Sequence, residues 1–210
     1  MSGESSGSES PATEPAGRDW GRLALVASVV LLVLAVLLRS FVFGLVTVKT
    51  GSMQPAIRPG STWVYLRSVE PQVGDIVVVE LPWDPGVLHV KRLVAQGPAE
   101  VELVDGRLYV DGAPSFVDRD IDVPWLDETC TPRVGRGHVE NYGADGEGIE
   151  VKVLGGGDHS RTQLLAGEIW LLGDRRGRSE DSGQWGQVSS SAVRGKVWGA
   201  VLTGEGCDEE

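Results

Sequence analysis

An uncharged apolar run near the N-terminus constrains this chain more than any other feature. It extends from Leu23 to Leu38, LALVASVVLLVLAVLL, and Ser28 is its one polar residue. As a helix rising about 1.5 Å per residue it would cover roughly 24 Å, somewhat less than the ~30 Å hydrocarbon core of a bilayer. The apolar residues that follow Arg39 extend it, and the arginine itself can turn its charge toward the interface. The sequence therefore predicts a transmembrane anchor over 23–43.

A cleaved signal peptide is the alternative interpretation of this run, because the run is short. The sequence favours an uncleaved anchor, since Arg-Ser-Phe-Val-Phe follows directly and contains no small-x-small cleavage site. The flanking charges do not determine which end of this run would face the cytoplasm. Arg18 and Arg22 precede the run, whereas Arg39, Lys49 and Arg58 follow it. A long C-terminal domain can cross the membrane largely regardless of such a count.

Both ends of the chain lack the apolar residues that a packed core requires. Residues 1–22 are rich in Ser, Gly, Glu and Pro, which predicts a disordered tail, and 204–210 form a short acidic tail. The formal net charge is −11. Such acidity argues against a nucleic-acid partner, because phosphate recognition needs clustered cations.

Beyond the apolar run the sequence has a β pattern of short Val/Ile/Leu runs punctuated by Gly, Pro and Asp. Asp105-Gly106 between VELV and RLYV predicts a two-residue hairpin turn with positive φ at both residues. No long amphipathic helix separates the runs, which argues against a parallel α/β sheet. We predict a mainly β protein: an antiparallel sheet built from 44–111 and 167–203, with a smaller and partly irregular subdomain inserted at 112–166. The expected strands cover 61–67, 75–81, 88–95, 101–104, 107–110, 150–154, 168–172 and 192–202.

Cysteine and histidine are too sparse to indicate a metal centre. Cys130 and Cys207 are too few for a disulfide scaffold or a cysteine-built zinc site, and whether they pair stays open. His89, His138 and His159 lie far apart and match no HExxH-like spacing. We therefore expect no metal and no cofactor.

Two glycine-containing stretches follow the apolar run. TGSMQP at 50–55 places Ser52 after a glycine, where a serine can present its hydroxyl and its amide to one bound carbonyl. Gly-Ser alone more often marks a simple turn. Gly74-Asp75 before IVVVE is, by itself, only a turn that enters a strand.

A lysine on an apolar strand is the third feature. The chain contains four lysines against fifteen arginines, and Lys91 lies in HVKRLV. A desolvated lysine can lose its proton and act as a base, whereas arginine cannot, although a surface lysine would fit the same pattern. The fourth stretch, GDRRGRSEDSGQWG at 173–186, follows EIWLL and is typical of a solvated loop.

In this order the four stretches resemble the type I signal peptidases, the membrane-bound Ser-Lys leader peptidases. The resemblance covers 23–111 and 167–200 and rests on GSMxP, GD before a strand, VKR, and GDxR with SxDS and WG; RSFVF, DGRLYVDG and RGKVWG agree with it. It implies a membrane-anchored serine endopeptidase that removes signal peptides from exported preproteins after an Ala-x-Ala-like site. It also implies a single-pass protein of the cell membrane, in contact with the lipid bilayer, whose catalytic β-domain lies outside the cytoplasm.

The resemblance also implies a role for individual residues. Ser52 would be the nucleophile and Lys91 the general base that Ser179 orients. The Ser52 amide and the Thr50 hydroxyl would form the oxyanion hole, although serine is the familiar residue at the position of Thr50. The remaining implied residues are Asp174 and Asp181 as structural support, and Val48, Met53 and Val90 in the substrate pocket.

The family pattern is not matched everywhere: Gly97-Pro98-Ala99-Glu100 stands where PGD usually follows the VKR strand, and three single positions also depart. Arg175 stands where the family has the asparagine of GDN, and Lys49 stands where a proline is usual. Gly183 replaces the arginine after the DS pair, which removes a familiar ion-pair partner of Asp181. None of these changes removes a proposed catalytic atom.

Three alternatives stay open on the residues alone. His89 lies two residues from Lys91, so a strand would place both on one face and His89 could serve as the base. A non-catalytic membrane-anchored β-domain that binds peptides would not need both Ser52 and Lys91. A self-cleaving Ser-Lys repressor would carry a basic DNA-binding domain where this chain has its apolar run.

Overall fold

The computed structural model describes residues 19–127, 129–142 and 149–203. The expected acidic tail and most of the expected N-terminal tail lie outside these ranges. Helix α1 (Trp20–Val42) begins three residues before the predicted anchor and ends one residue before its predicted end. Within the described residues it is the one helix long and apolar enough to cross a bilayer.

The rest of the described chain is almost entirely β-structure, as predicted. Besides strands it contains a single-turn helix α2 (Ser182–Trp185) and three short 3₁₀ turns. The strands are β1 (Phe43–Thr47), β2 (Thr62–Leu66), β3 (Ile76–Glu80), β4 (Leu88–Gln96), β5 (Ala99–Val104), β6 (Arg107–Val110), β7 (Ala113–Pro114), β8 (Phe116–Leu126), β9 (Pro132–Tyr142), β10 (Ile149–Leu154), β11 (His159–Leu164), β12 (Glu168–Leu172), β13 (Val188–Ser189) and β14 (Val193–Leu202).

Three antiparallel sheets organise these strands. The largest has the order β1-β2-β14-β3-β4-β12-β13, a second is β10-β9-β8, and a third is β11-β5-β6-β7. The mainly β, antiparallel fold predicted from the sequence is therefore confirmed. The predicted hairpin is also present: Asp105 and Gly106 have φ values of 51° and 73°, and Val104 pairs with Arg107.

The segment expected to be partly irregular is more regular than its sequence suggested. Strands β8 and β9 are eleven residues each and pair along their length, and β10 adds to them. Strand β11, from the same segment, pairs with β5 instead. The division into a catalytic domain and an inserted subdomain stays a prediction.

Apolar residues cover both faces of the central strands, and this positions the site. Val77 and Val79 of β3 pack into one buried cluster and Val78 into another. Neighbouring β4 is buried over six consecutive residues, 90–95. A strand buried on both faces carries any charged residue it contains into the interior, and Lys91 is such a residue.

Pairing between β4 and β12 brings distant parts of the sequence together. Arg92 is the register partner of Leu172, and Gln96 is that of Ile169. The Gly97 amide donates to the Glu168 carbonyl at 2.8 Å. The chain therefore leaves the sheet after β4 and returns beside it, so that the loop after β12 lies next to Lys91.

Candidate active site

A cleft of about 400 Å³ contains both the proposed nucleophile and the proposed base. Residues of β1 and the turn that follows it form one wall, and the start of β4 with Gly86 forms the other. Ser52 lines the first wall and Lys91 the second. The fold thus brings together two residues that are 39 positions apart in the sequence.

Ser52 lies in a single 3₁₀ turn, Gly51–Met53, and only 7% of it is exposed. Its Oγ is 3.2 Å from Oγ1 of Thr50, which is within hydrogen-bonding distance. Its carbonyl oxygen accepts a hydrogen bond from the Arg175 amide at 3.0 Å. The hydroxyl at position 50 and the loop after β12 both contact the serine predicted to react.

Lys91 is 4% exposed, and its Nζ donates a hydrogen bond to Ser179 Oγ at 3.0 Å. Burial lowers the pKa of the Lys91 amine, because desolvation disfavours the ammonium form. The negative charges of Asp181, Glu180 and Asp174 act in the opposite direction and raise this pKa without cancelling the effect of burial. The amine is therefore easier to deprotonate than a surface lysine.

The Trp185 ring lies beside this amine, and the His89 ring lies beside Trp185. The Lys91 Nζ is 5.6 Å from the ring centroid of Trp185, and the Trp185 ring meets that of His89 edge-on at 5.3 Å. His89 Nε2 lies 2.9 Å from Asp84 Oδ2. The histidine considered as an alternative base lines the same cleft, and one of its ring nitrogens is bound to a carboxylate.

The two predicted supporting aspartates are both buried and both hydrogen-bonded. Asp174 accepts from Arg92 Nε at 2.7 Å and from Arg92 Nη2 at 2.6 Å. Asp181 accepts from the Gly173 amide at 2.9 Å and from the Gly183 amide at 3.1 Å, which caps α2. Where the family usually has an arginine, the backbone of Gly183 contacts this carboxylate.

A buried network behind the loop was not predicted from the sequence. Arg176 donates to Glu140 of β9 and, at 3.1 Å, to the Gly173 carbonyl, while the Tyr142 hydroxyl also donates to Glu140. The interpretation of this stretch as a solvated loop is wrong for Arg176, whose side chain is almost completely buried. Its partner lies 36 positions earlier in the sequence, and no local pattern indicates that pairing.

The predicted pocket residues share one apolar cluster. Val48 and Val90 line the cleft. Met53 has no exposed surface and packs with them in the same cluster. Their contact with a substrate stays a prediction.

Each of the three described histidines has a different polar partner. Among residues 19–127, 129–142 and 149–203, no group of three or more His, Cys, Asp or Glu side chains could hold a metal ion. His138 lies 3.2 Å from Glu140, and His159 lies 3.1 Å from Thr162. Cys130 is disulfide-bonded, and Cys207 lies outside the described residues.

Comparison with known proteins places this sequence in a family. Residues 20–201 match the profile of the family described as signal peptidase, peptidase S26. The chain is 28% identical over 168 residues to signal peptidase I of Bacillus licheniformis, covering 78% of this chain and 76% of that protein. It is 27% identical over 177 residues to a probable signal peptidase I-1 of Synechocystis, covering 79% and 74%. A crystal structure of a signal peptidase I from Enterococcus faecalis overlaps 61% of this chain and 97% of that one, at 23% identity and a TM-score of 0.36.

The profile match begins at the first residue of α1 and ends one residue before the end of β14. It therefore includes the apolar helix, the Ser52 turn, the Lys91 strand and the loop after β12. This chain belongs to the signal peptidase family, peptidase S26.

Proposed function

We propose that this chain is a membrane-anchored serine endopeptidase that removes signal peptides from exported preproteins after an Ala-x-Ala-like site. The observation that carries the proposal is the burial of Lys91 in the cleft that also contains Ser52. Burial lowers the pKa of Lys91, and Lys91 lines the same cleft as Ser52. The Ser52 hydroxyl lies within hydrogen-bonding distance of the Thr50 hydroxyl. Family membership supports the substrate class.

Ser52 would attack the scissile carbonyl while Lys91 takes its proton. Lysine needs no acidic partner for this role, because it is a neutral base once it is desolvated. Ser179 accepts a hydrogen bond from the Lys91 amine and would hold it toward the nucleophile. The protonated Lys91 would then return the proton to the leaving amine, and water would hydrolyse the acyl-enzyme by the same route.

The developing oxyanion would be held by the Ser52 amide and the Thr50 hydroxyl. Such donors are most effective where charge develops in a site shielded from water. Asp174 and Asp181 would fix the loop that carries Ser179. Val48, Met53 and Val90 would wall the shallow pockets for small substrate side chains.

The anchor would serve the same reaction. A signal peptide keeps its apolar segment in the bilayer, so tethering the enzyme to that bilayer raises the effective concentration of the two partners. We propose a single-pass protein of the cell membrane with 44–111 and 167–203 as the catalytic domain, outside the cytoplasm. Protease added to spheroplasts should then digest the large domain; if the domain is protected until lysis, this orientation is wrong.

The catalytic proposal is tested by incubating the detergent-solubilised full chain with a preprotein and sequencing the new N-terminus. Ser52→Ala and Lys91→Arg should each abolish cleavage, because one removes the nucleophile and the other replaces a titratable base with a permanent cation. His89→Ala is the matched control on the same strand and should retain cleavage. Activity in Lys91→Arg together with its loss in His89→Ala would assign the base to His89.

A further inference from the structure

The turn that carries Ser52 is held by the residues that flank it in space. On one side, the Arg175 amide donates to the Ser52 carbonyl at 3.0 Å. On the other side, Gln54 follows two residues later and is only 3% exposed. Both residues stand against the end of β8, which is more than seventy positions from Ser52 in the sequence.

The Gln54 side chain binds the backbone of Leu126 as a neighbouring strand would. Its Nε2 donates to the Leu126 carbonyl at 3.1 Å, and its Oε1 accepts from the Leu126 amide at 2.7 Å. Leu126 is the last residue of β8. A buried amide that makes both hydrogen bonds with one residue has a single permitted orientation, so Gln54 is fixed by β8.

Trp125, the residue before Leu126, contacts Arg175 on the other side of the Ser52 turn. The guanidinium carbon of Arg175 lies 3.7 Å from the ring centroid of Trp125, and Arg175 is 9% exposed. A methyl group placed on Gly51 would lie 3.5 Å from Nη1 of Arg175, so the guanidinium also borders the turn itself. The positive charge of an arginine stacked on a tryptophan is attracted by the negative electrostatic potential of the ring face.

Two successive residues of β8 therefore fix both flanks of the reactive turn. We propose that Trp125 and Leu126 are positioning residues for Ser52, acting through Arg175 and Gln54. This inference rests on the proposed function, in which Ser52 is the nucleophile. It also gives the departure at Arg175 a structural basis, because the longer cationic side chain reaches an aromatic ring of the inserted segment.

A nucleophile is sensitive to such support, because displacement by about 1 Å can lower the rate ~10²-fold. Trp125→Ala should lower kcat about 10- to 100-fold. KM should change little, because Trp125 is absent from the cleft lining. Trp125→Phe should retain most of kcat, because an aromatic face remains under Arg175. Gln54→Met, which is similar in shape but cannot hold Leu126 by hydrogen bonds, should lower kcat in the same way.

The matched control is Val134→Ala on the same hairpin. Val134 is the register partner of Pro124, the residue before Trp125, and is 67% exposed. It should leave kcat unchanged. The double variant of Trp125→Ala with Arg175→Ala should be no slower than the worse single variant, because both changes remove the same contact.

The experiment measures kcat, KM and the thermal midpoint of the detergent-solubilised full chain with a preprotein substrate. Wild-type kcat in both Trp125→Ala and Gln54→Met overturns the inference, as does an equal loss in Val134→Ala. If Trp125→Ala does not fold, Gln54→Met and Trp125→Phe decide by the same criteria. Cleavage by Ser52→Ala refutes the proposed function itself, whereas an inactive Ser52→Ala beside wild-type kcat in both Trp125→Ala and Gln54→Met refutes only the positioning role.

Discussion

Gly173→Ala adds one methyl group where the backbone packs tightly against Ser179 and Ser52 of the proposed active site. A methyl on Gly173 would lie 2.7 Å from the Ser52 carbonyl oxygen and closer still to the Ser179 hydroxyl. Ordinary van der Waals contact begins near 3.4 Å. To restore that spacing, the Ser179 side chain must move by about 1 Å, and the backbone at Gly173 must shift away from the Ser52 oxygen as well.

That movement would break the hydrogen bond from Lys91. The bond measures 3.0 Å, and a displacement of about 1 Å takes it beyond hydrogen-bonding range. Lys91 is protonated once it has accepted the Ser52 proton, so the bond to Ser179 matters most at that stage. A hydrogen bond to a charged group contributes ~1.5–3 kcal/mol, so kcat should fall about 10- to 150-fold.

Single-turnover cleavage of a preprotein by the full chain measures this effect. Overpacking costs ~1–3 kcal/mol, so the thermal midpoint should fall by roughly 2–12 °C and the assay must run well below it. Gly177→Ala is the matched control, because it lies in the same loop and its added methyl would meet nothing within 4 Å. Combined with Ser179→Ala, the Gly173→Ala change should lower kcat by less than the product of the two single effects, since the hydrogen bond between Lys91 and Ser179 can be lost only once. A wild-type kcat for Gly173→Ala, or full additivity with Ser179→Ala, would refute this reasoning.

Three further predictions concern single side chains. Thr50→Val should lower kcat ~10²–10³-fold because it removes an oxyanion donor, whereas Thr50→Ser should keep most activity; a faster Val variant would remove Thr50 from the site. Glu180→Gln should shift the acid limb of the kcat/KM profile to lower pH, because Lys91 must be neutral to act as the base. The negative charge of Glu180 raises the Lys91 pKa, so removing that charge lets the Lys91 amine lose its proton at a lower pH. Asp174→Asn should lower the free energy of unfolding in urea by about 3–5 kcal/mol, because the buried Arg92 guanidinium loses its countercharge; an unchanged midpoint would contradict that role.

Features with a local cause were predictable from the sequence. Asp105-Gly106 specifies its own turn, because few other residue pairs adopt positive φ twice. The apolar run over 23–38 likewise predicted a helix, because its own residues determine that outcome. The apolar strand around Lys91 fitted both a desolvated and a surface lysine, and only the packing of β4 shows that the lysine is buried.

Features that depend on long-range pairing were not predictable. Gln54 is an ordinary turn residue in the sequence, and only the fold reveals that β8 ends beside it. Arg176 occupies a run of charges that reads as solvent-exposed, yet Glu140 meets it in the interior. Nothing in a polar run tells which of its charges will find a buried partner.

The buried ion pairs behind the loop also determine how this protein responds to salt. Mobile ions screen charges over about 8–10 Å of water at 0.1–0.15 M, but they do not enter a packed interior. Two ion pairs lie in that interior, Arg92 with Asp174 and Arg176 with Glu140. Changes in ionic strength therefore do not displace the loop that these pairs hold. Lys49, in contrast, is exposed on the wall of the cleft. Under the proposed function, a change in ionic strength should therefore alter the binding of charged preproteins at the cleft and leave these buried ion pairs intact.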